Sequence, residues 1–134
     1  MSNKTKILIL GGGFGGVYAA LRLDKTLARR ADVEVTLVSS DNFLLFTPML
    51  HEVASGDLSP SDIVNPIRRM LKRVRFVQAE VRSIDLAVKR VHCTRDLRPL
   101  PLDLDYDHLV LALGSETNFF GMQGVAENAV VSAS

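Results

Sequence analysis

The residues in this 134-residue chain whose types and spacing point most directly to chemistry are glycines. Gly11, Gly13 and Gly16 form G-x-G-x-x-G directly after the apolar run Ile7-Leu8-Ile9-Leu10, and helical spacing begins at once behind them. A dinucleotide pyrophosphate needs that arrangement. Gly11 permits a tight turn and Gly13 lets the backbone approach the phosphates. Gly16 allows close helix–sheet contact, and the helix N-terminus offers unpaired N–H groups to the anion. An acidic residue about 20 residues further on usually holds the ribose hydroxyls in such units. Here Ser39 stands in that place, followed by Ser40 and Asp41. A serine can bond a ribose hydroxyl, but without the strength of a carboxylate. Asp41 substitutes if the turn bends it back. Alternatively, all three residues merely close a turn.

The remaining chemistry-bearing residues are sparse. Asn42-Phe43-Leu44-Leu45-Phe46-Thr47-Pro48-Met49-Leu50 is apolar and aromatic for a loop, suited either to a flat-ring pocket or to core packing. His51 and Glu52 beside it read as surface residues. Cys93 is the single cysteine, so it forms neither an internal disulfide nor a metal cluster by itself.

These residues need elements to position them. Thr5 to Leu10 reads as a strand buried on both faces, since its apolar run is continuous rather than alternating. Phe14 to about Arg29 keeps helical spacing through Val17, Ala20, Leu21 and Ala28. Val33 to Val38 is β-branched and predicts a second strand, which completes a βαβ unit. A helix capped by Ser61 or Asn65 is expected to run to Arg73, with Ile63, Ile67, Met70 and Leu71 as its buried stripe. Val74 to Val81 predicts a strand. Ser83 to Leu86 and Lys89 to Thr94 predict an antiparallel hairpin or meander. Arg95 to Asp105, with Pro99 and Pro101, reads as a loop, and Asp107 to Gly114 as a buried strand ending in glycine. Ser115 to Ser134 shows no periodic element. The fold class is α/β: a Rossmann-like three-layer domain with a parallel sheet and a small antiparallel hairpin or meander.

Composition narrows the function classes. Hydrophobic residues at 47% and charged residues at 23% describe a globular chain of one domain. Sixteen Lys and Arg against fifteen Asp and Glu give +1, so no field steers nucleic acid or an anionic membrane. The basic run Arg68, Arg69, Lys72, Arg73 and Arg75 reads as a solvated helix face. The longest apolar run falls far short of the ~20 residues of a membrane span. The polar, brief N-terminus is no secretion signal. The expected location is the cytoplasm, or the cytoplasmic face of a membrane for a longer protein.

Three segments together resemble the type II NADH:quinone oxidoreductases: Gly-Gly-Gly-Phe-Gly-Gly-x-x-Ala-Ala at 11–20, Phe46-Thr47-Pro48-Met49-Leu50 with Glu52-Val53-Ala54 and Gly56, and Tyr106-Asp107 through Gly114-Ser115-x-Thr117-Asn118. Ile63-Val64-x-Pro66-Ile67-Arg68 fits the same family. The resemblance implies an FAD site. Gly11, Gly13, Phe14 and Gly16 would hold the pyrophosphate, and Ser39 and Ser40 would lie at the adenosine ribose. The backbone of Val81 would sit beside the adenine, and Thr47 and Pro48 would approach the flavin ring. Ala112 and Gly114 would complete the wall near the pyrophosphate. Leu113 stands where the family usually has threonine.

Family members run to roughly three times this length, in keeping with two or more domains. Their second glycine loop, for NADH, is not found here. The chain is therefore expected to be the N-terminal portion, residues 1–134, of an FAD-binding domain, with NADH a substrate only of the full-length protein. Its expected partner is a C-terminal NADH-binding part or another subunit, and self-association through an exposed apolar face is a further expectation. No side chain is expected to be catalytic, and a lone cysteine disfavours the disulfide-reductase and sulfide:quinone branches. The competing readings are a dinucleotide-binding module for FAD, NAD or ADP without turnover, and a fragment that binds nothing.

Overall fold

The computed structural model describes residues 3–45, 55–56, 64–95, 100–114 and 120–128. Its centre is a four-stranded parallel sheet made of β1 (Thr5–Leu10), β2 (Val33–Ser39), β5 (Arg75–Gln78) and β9 (His108–Leu111), in the order β5-β2-β1-β9. Two short strands, β3 (Phe43–Leu45) and β4 (Val64–Pro66), pair antiparallel beside it. A three-stranded antiparallel meander follows β5: β6 (Glu80–Asp85), β7 (Arg90–Arg95) and β8 (Leu100–Asp105).

Side chains alternate across a strand, so one apolar strand supplies two cores. Ile7 and Ile9 of β1, Val35 and Leu37 of β2, and Phe76 of β5 pack on Val17 and Ala20 of α1 (Phe14–Lys25). Their neighbours Leu8, Leu10, Val38 and Val77 pack the other way, against Val91 and Cys93 of the meander and Tyr106. Helix, sheet and meander thus form the three expected layers. The continuous apolar run of β1 is buried on both faces, as its sequence predicts. Burial pushes the Cys93 thiol above its ordinary pKa, and Asp103 adds to the shift, which makes it a packing residue rather than a nucleophile.

Several boundaries differ from the expectation, each for a local reason. Helix α1 ends at Lys25 instead of about Arg29. The Thr26 hydroxyl donates to the carbonyl of Arg22 at 2.8 Å, the competing local bond that ends helices, and a single 3₁₀ turn, Leu27–Arg29, follows. The helix expected to reach Arg73 is the single turn α2 (Ile67–Met70). The N–H groups of Lys72, Arg73 and Val74, which would continue it, donate instead to one carboxylate oxygen of Asp24 at 3.1, 2.6 and 2.8 Å. Ile67 and Leu71 are buried as expected, and Met70 packs against them; Ser61 and Ile63 lie outside the described residues. Of the basic run beside them, Arg68 has a defined role, with its guanidinium 4.9 Å from the centre of the Phe76 ring.

The strand expected over Val74 to Val81 breaks at Ala79, where the chain leaves the parallel sheet for the meander. The segment read as a loop contains β8, despite Pro101. β8 is an edge strand, and there a residue without an N–H is tolerated because one row of groups stays unpaired. The C-terminal part holds one helical turn, α3 (Val125–Asn128), that no periodicity announces.

β9 joins β1 by tertiary rather than local bonds. The Lys6 backbone N–H donates to the Asp107 carboxylate at 2.7 Å, and Asp107 N–H returns a bond to the Lys6 carbonyl at 2.8 Å. This clamp sets the register that places Leu10 opposite Leu111.

Candidate functional site

The C-terminal ends of β1, β2 and β9 frame a cleft of about 890 Å³, within the ordinary range of ~300–1,000 Å³ for small-molecule sites. Backbone pairing beyond the strand ends shapes its floor. Gly11 N–H donates to the Val38 carbonyl and Ala112 N–H to the Leu10 carbonyl, both at 2.8 Å. Each extends the sheet by one bond before the chain turns away.

Gly11 has φ +111°, a region that L side chains rarely adopt, and a Cβ there would strike the carbonyl of Ala112. Gly16 is buried, and a Cβ on it would strike the carbonyl oxygen of Gly11. These two glycines lock the loop between β9 and the first turn of α1. Gly13, the N-cap of that helix, is different: a Cβ there would meet nothing within 4 Å. It borders the cleft, so the space it leaves is ligand space. Phe14 also lines the cleft, with its ring stacked on Tyr18 at 5.9 Å between centroids.

Opposite the glycine loop stands the end of β2. Ser39 is buried, and its hydroxyl accepts the Asp41 N–H at 3.2 Å, closing a two-residue turn. That turn carries Ser40 and Asp41 along the cleft wall. The Ser39 carbonyl accepts the Ala79 N–H at 2.9 Å, and the Ser40 carbonyl accepts from the Gln78 side chain at 3.1 Å. These bonds bring Ala79, Glu80 and Val81 to the same wall. Ala112, Leu113 and Gly114 close it on the β9 side.

Eight of the eleven candidates therefore line one cleft: Gly11, Gly13, Phe14, Ser39, Ser40, Val81, Ala112 and Gly114. Gly16 lies beneath it as the steric support of Gly11. Thr47 and Pro48 lie outside the described residues, as do His51, Glu52 and the run from Ser115 to Phe119. Sequence reasoning missed Gly12, where a Cβ would strike the Ser39 hydroxyl; the triple glycine was the available signal. It also missed Glu80, for which no local pattern exists. A strand-ending glycine loop and a helix N-terminus at the edge of a cleft suit the binding of a pyrophosphate. Among the described residues no group of three or more His, Cys, Asp or Glu could hold a metal. Among the same residues no helix is long and apolar enough to cross a membrane.

Comparison with known proteins gives the family of the chain. The model of the family described as pyridine nucleotide-disulphide oxidoreductase matches residues 5–133. The type II NADH:quinone oxidoreductase of Staphylococcus aureus is 33% identical over 95% of this chain and 30% of its own length. The Mycobacterium tuberculosis enzyme NdhA, of the same type, is 38% identical over 90% of this chain and 25% of its length. Among solved structures, NDH2 of Plasmodium falciparum superposes with a TM-score of 0.80 and 32% identity, covering 92% of this chain and 25% of that one. The chain thus spans about a quarter to a third of the length of the relatives it matches.

Proposed function

Because the chain belongs to the pyridine nucleotide-disulphide oxidoreductase family, we propose that residues 1–134 are the N-terminal portion of an FAD-binding domain in a flavoprotein that passes electrons from NADH to a quinone. The observation that carries the reading is the convergence of the glycine loop, the Ser39–Asp41 turn, Val81 and Ala112–Gly114 on one cleft. The quinone and NADH parts rest on what the matched relatives are named for. Location at the cytoplasmic face of a membrane belongs to the same proposal.

The residues fit the cofactor. Gly13 leaves open the space a pyrophosphate would fill, while Gly11 and Gly16 fix the loop around it. Phosphate oxygens are held by the N–H groups at the start of α1, whose dipole favours the negative charge. Ser39 and Ser40 face the adenosine ribose and the Val81 backbone the adenine. Ala112 and Gly114 bound the pyrophosphate on its far side. Thr47 and Pro48 are assigned to the flavin ring. When bound, FAD would supply two-electron redox chemistry, as the acceptor of a hydride (one proton with two electrons) from NADH and the donor of two electrons to a quinone. The chain's own residues bind and orient the cofactor, and no side chain among those lining the cleft need act as acid or base.

The coverage of the relatives favours a second reading for the 134-residue chain by itself, a dinucleotide-binding module without turnover. Titration with FAD, NADH and ADP, followed by calorimetry, separates the readings. Saturable FAD binding is expected, with no oxidation of NADH by this chain. Preference for NADH over FAD favours the module reading, and failure to bind any dinucleotide sinks both.

A further inference from the structure

We infer that the carboxylate of Glu80, rather than any group at position 39, anchors the ribose of the bound nucleotide; the inference rests on the dinucleotide reading of the cleft. A glycine-loop site normally places an acidic residue at the end of β2. Here that position holds Ser39, whose hydroxyl already accepts the Asp41 N–H and whose surroundings are closed by Gly12. The negative charge that strengthens a bond to a ribose hydroxyl has to come from elsewhere along the wall.

Glu80 is placed to supply it. Its neighbour Ala79 is bonded through the backbone to Ser39, which sets the start of β6 against the end of β2. Glu80 lines the same cleft as Ser39 and Val81, and it directly precedes Val81 in the chain. Arg82 pairs with one of the Glu80 carboxylate oxygens, Oε2, at 3.2 Å. Strand residues position a ligand contact more tightly than loop residues do. Asp41 also lines the cleft, but it sits on the turn and only its backbone N–H is tied, to the Ser39 hydroxyl.

The test is a calorimetric comparison of ADP with 2′,3′-dideoxy-ADP on the 134-residue chain. The parent is expected to prefer ADP by about tenfold, the scale of a charged hydrogen bond. In Glu80→Gln that preference should fall to about threefold or less, with FAD affinity falling in parallel and dideoxy-ADP affinity unchanged. Because Glu80 is exposed, the circular dichroism melt should not move. An undiminished preference in Glu80→Gln overturns the inference, as does a preference lost in Asp41→Asn or Ser39→Ala instead. If the parent binds neither ADP nor FAD, the failure belongs to the dinucleotide reading itself and removes the inference with it.

Discussion

Gly16→Val should abolish cooperative folding, whereas Gly13→Val, three residues earlier, should leave folding intact and abolish nucleotide binding. The contrast follows from what a side chain would meet. At Gly16 it drives into the carbonyl oxygen of Gly11, backbone that is itself pinned to Val38 by a hydrogen bond of 2.8 Å. Neither partner can yield without pulling α1 off the sheet, so the cost is about 4 kcal/mol or more, the range of backbone and core failures. A domain with a total stability of about 5–15 kcal/mol tolerates that poorly. At Gly13 the new side chain meets no protein atom within 4 Å, and the backbone there is already extended, with φ −80° and ψ −165°. The thermal midpoint should stay within about 2 °C of the parent's, while FAD affinity falls by about a hundredfold. Thermal melts and FAD titration of the two variants check both halves. Equal loss of stability would overturn the steric assignment, and retained affinity in Gly13→Val would move the pyrophosphate off this loop.

Asp24→Asn should cost about 2–3 kcal/mol at neutral pH and should flatten the acid side of the stability profile. Asp24 is buried in α1 and carries the amides of Lys72, Arg73 and Val74 on one oxygen. Burial pushes its carboxyl up. The three N–H donors and the charge of Arg73 outweigh that penalty and hold the group below the usual carboxylate value of 3.8. A depressed native value means that the stabilisation is complete above the unfolded value and is lost as pH falls through the native one. The gap between parent and variant in a urea midpoint should therefore be constant from about pH 7 to 5 and narrow below about pH 4. A gap that persisted unchanged to acid pH would assign the effect to packing rather than to the charge.

What the sequence makes legible follows from range. Thr5–Leu10, the glycine loop and the start of α1 are readable because apolar run, turn and helical spacing are adjacent in the chain. Position 39 is readable as the end of β2, where such units normally carry an acidic residue, because the βαβ unit has a standard length. Asp24 falls four residues after Ala20 and seven after Val17, on the buried stripe of α1, so the helical spacing places it there but gives no hint of its role. Its partners are 48 to 50 residues away. Glu80 was hidden for the same reason: its place at the wall depends on the Ala79 bond to Ser39. β8 was obscured by Pro101 and the preceding Pro99, which signal a loop to any local reading; Pro101 is tolerated in the strand because the strand lies at an edge.

The pairing of β1 with β9 also carries a consequence for the order in which the molecule assembles. The clamp between Lys6 and Asp107 spans 101 residues, while β1 and β2 are joined through a single helix. Closing so large a loop adds little to the equilibrium cost, since each doubling of length costs only about 0.6 kcal/mol. Its weight falls on the rate, because distant pairings form slowly. Half of the cleft, the glycine loop against Ser39, is an early and local product of the chain. The other half, Ala112 to Gly114, arrives only once the meander has brought β9 home. A nascent molecule thus forms its glycine loop before it has a closed cleft, and a ligand that engaged both walls would stabilise the last step of folding rather than the first.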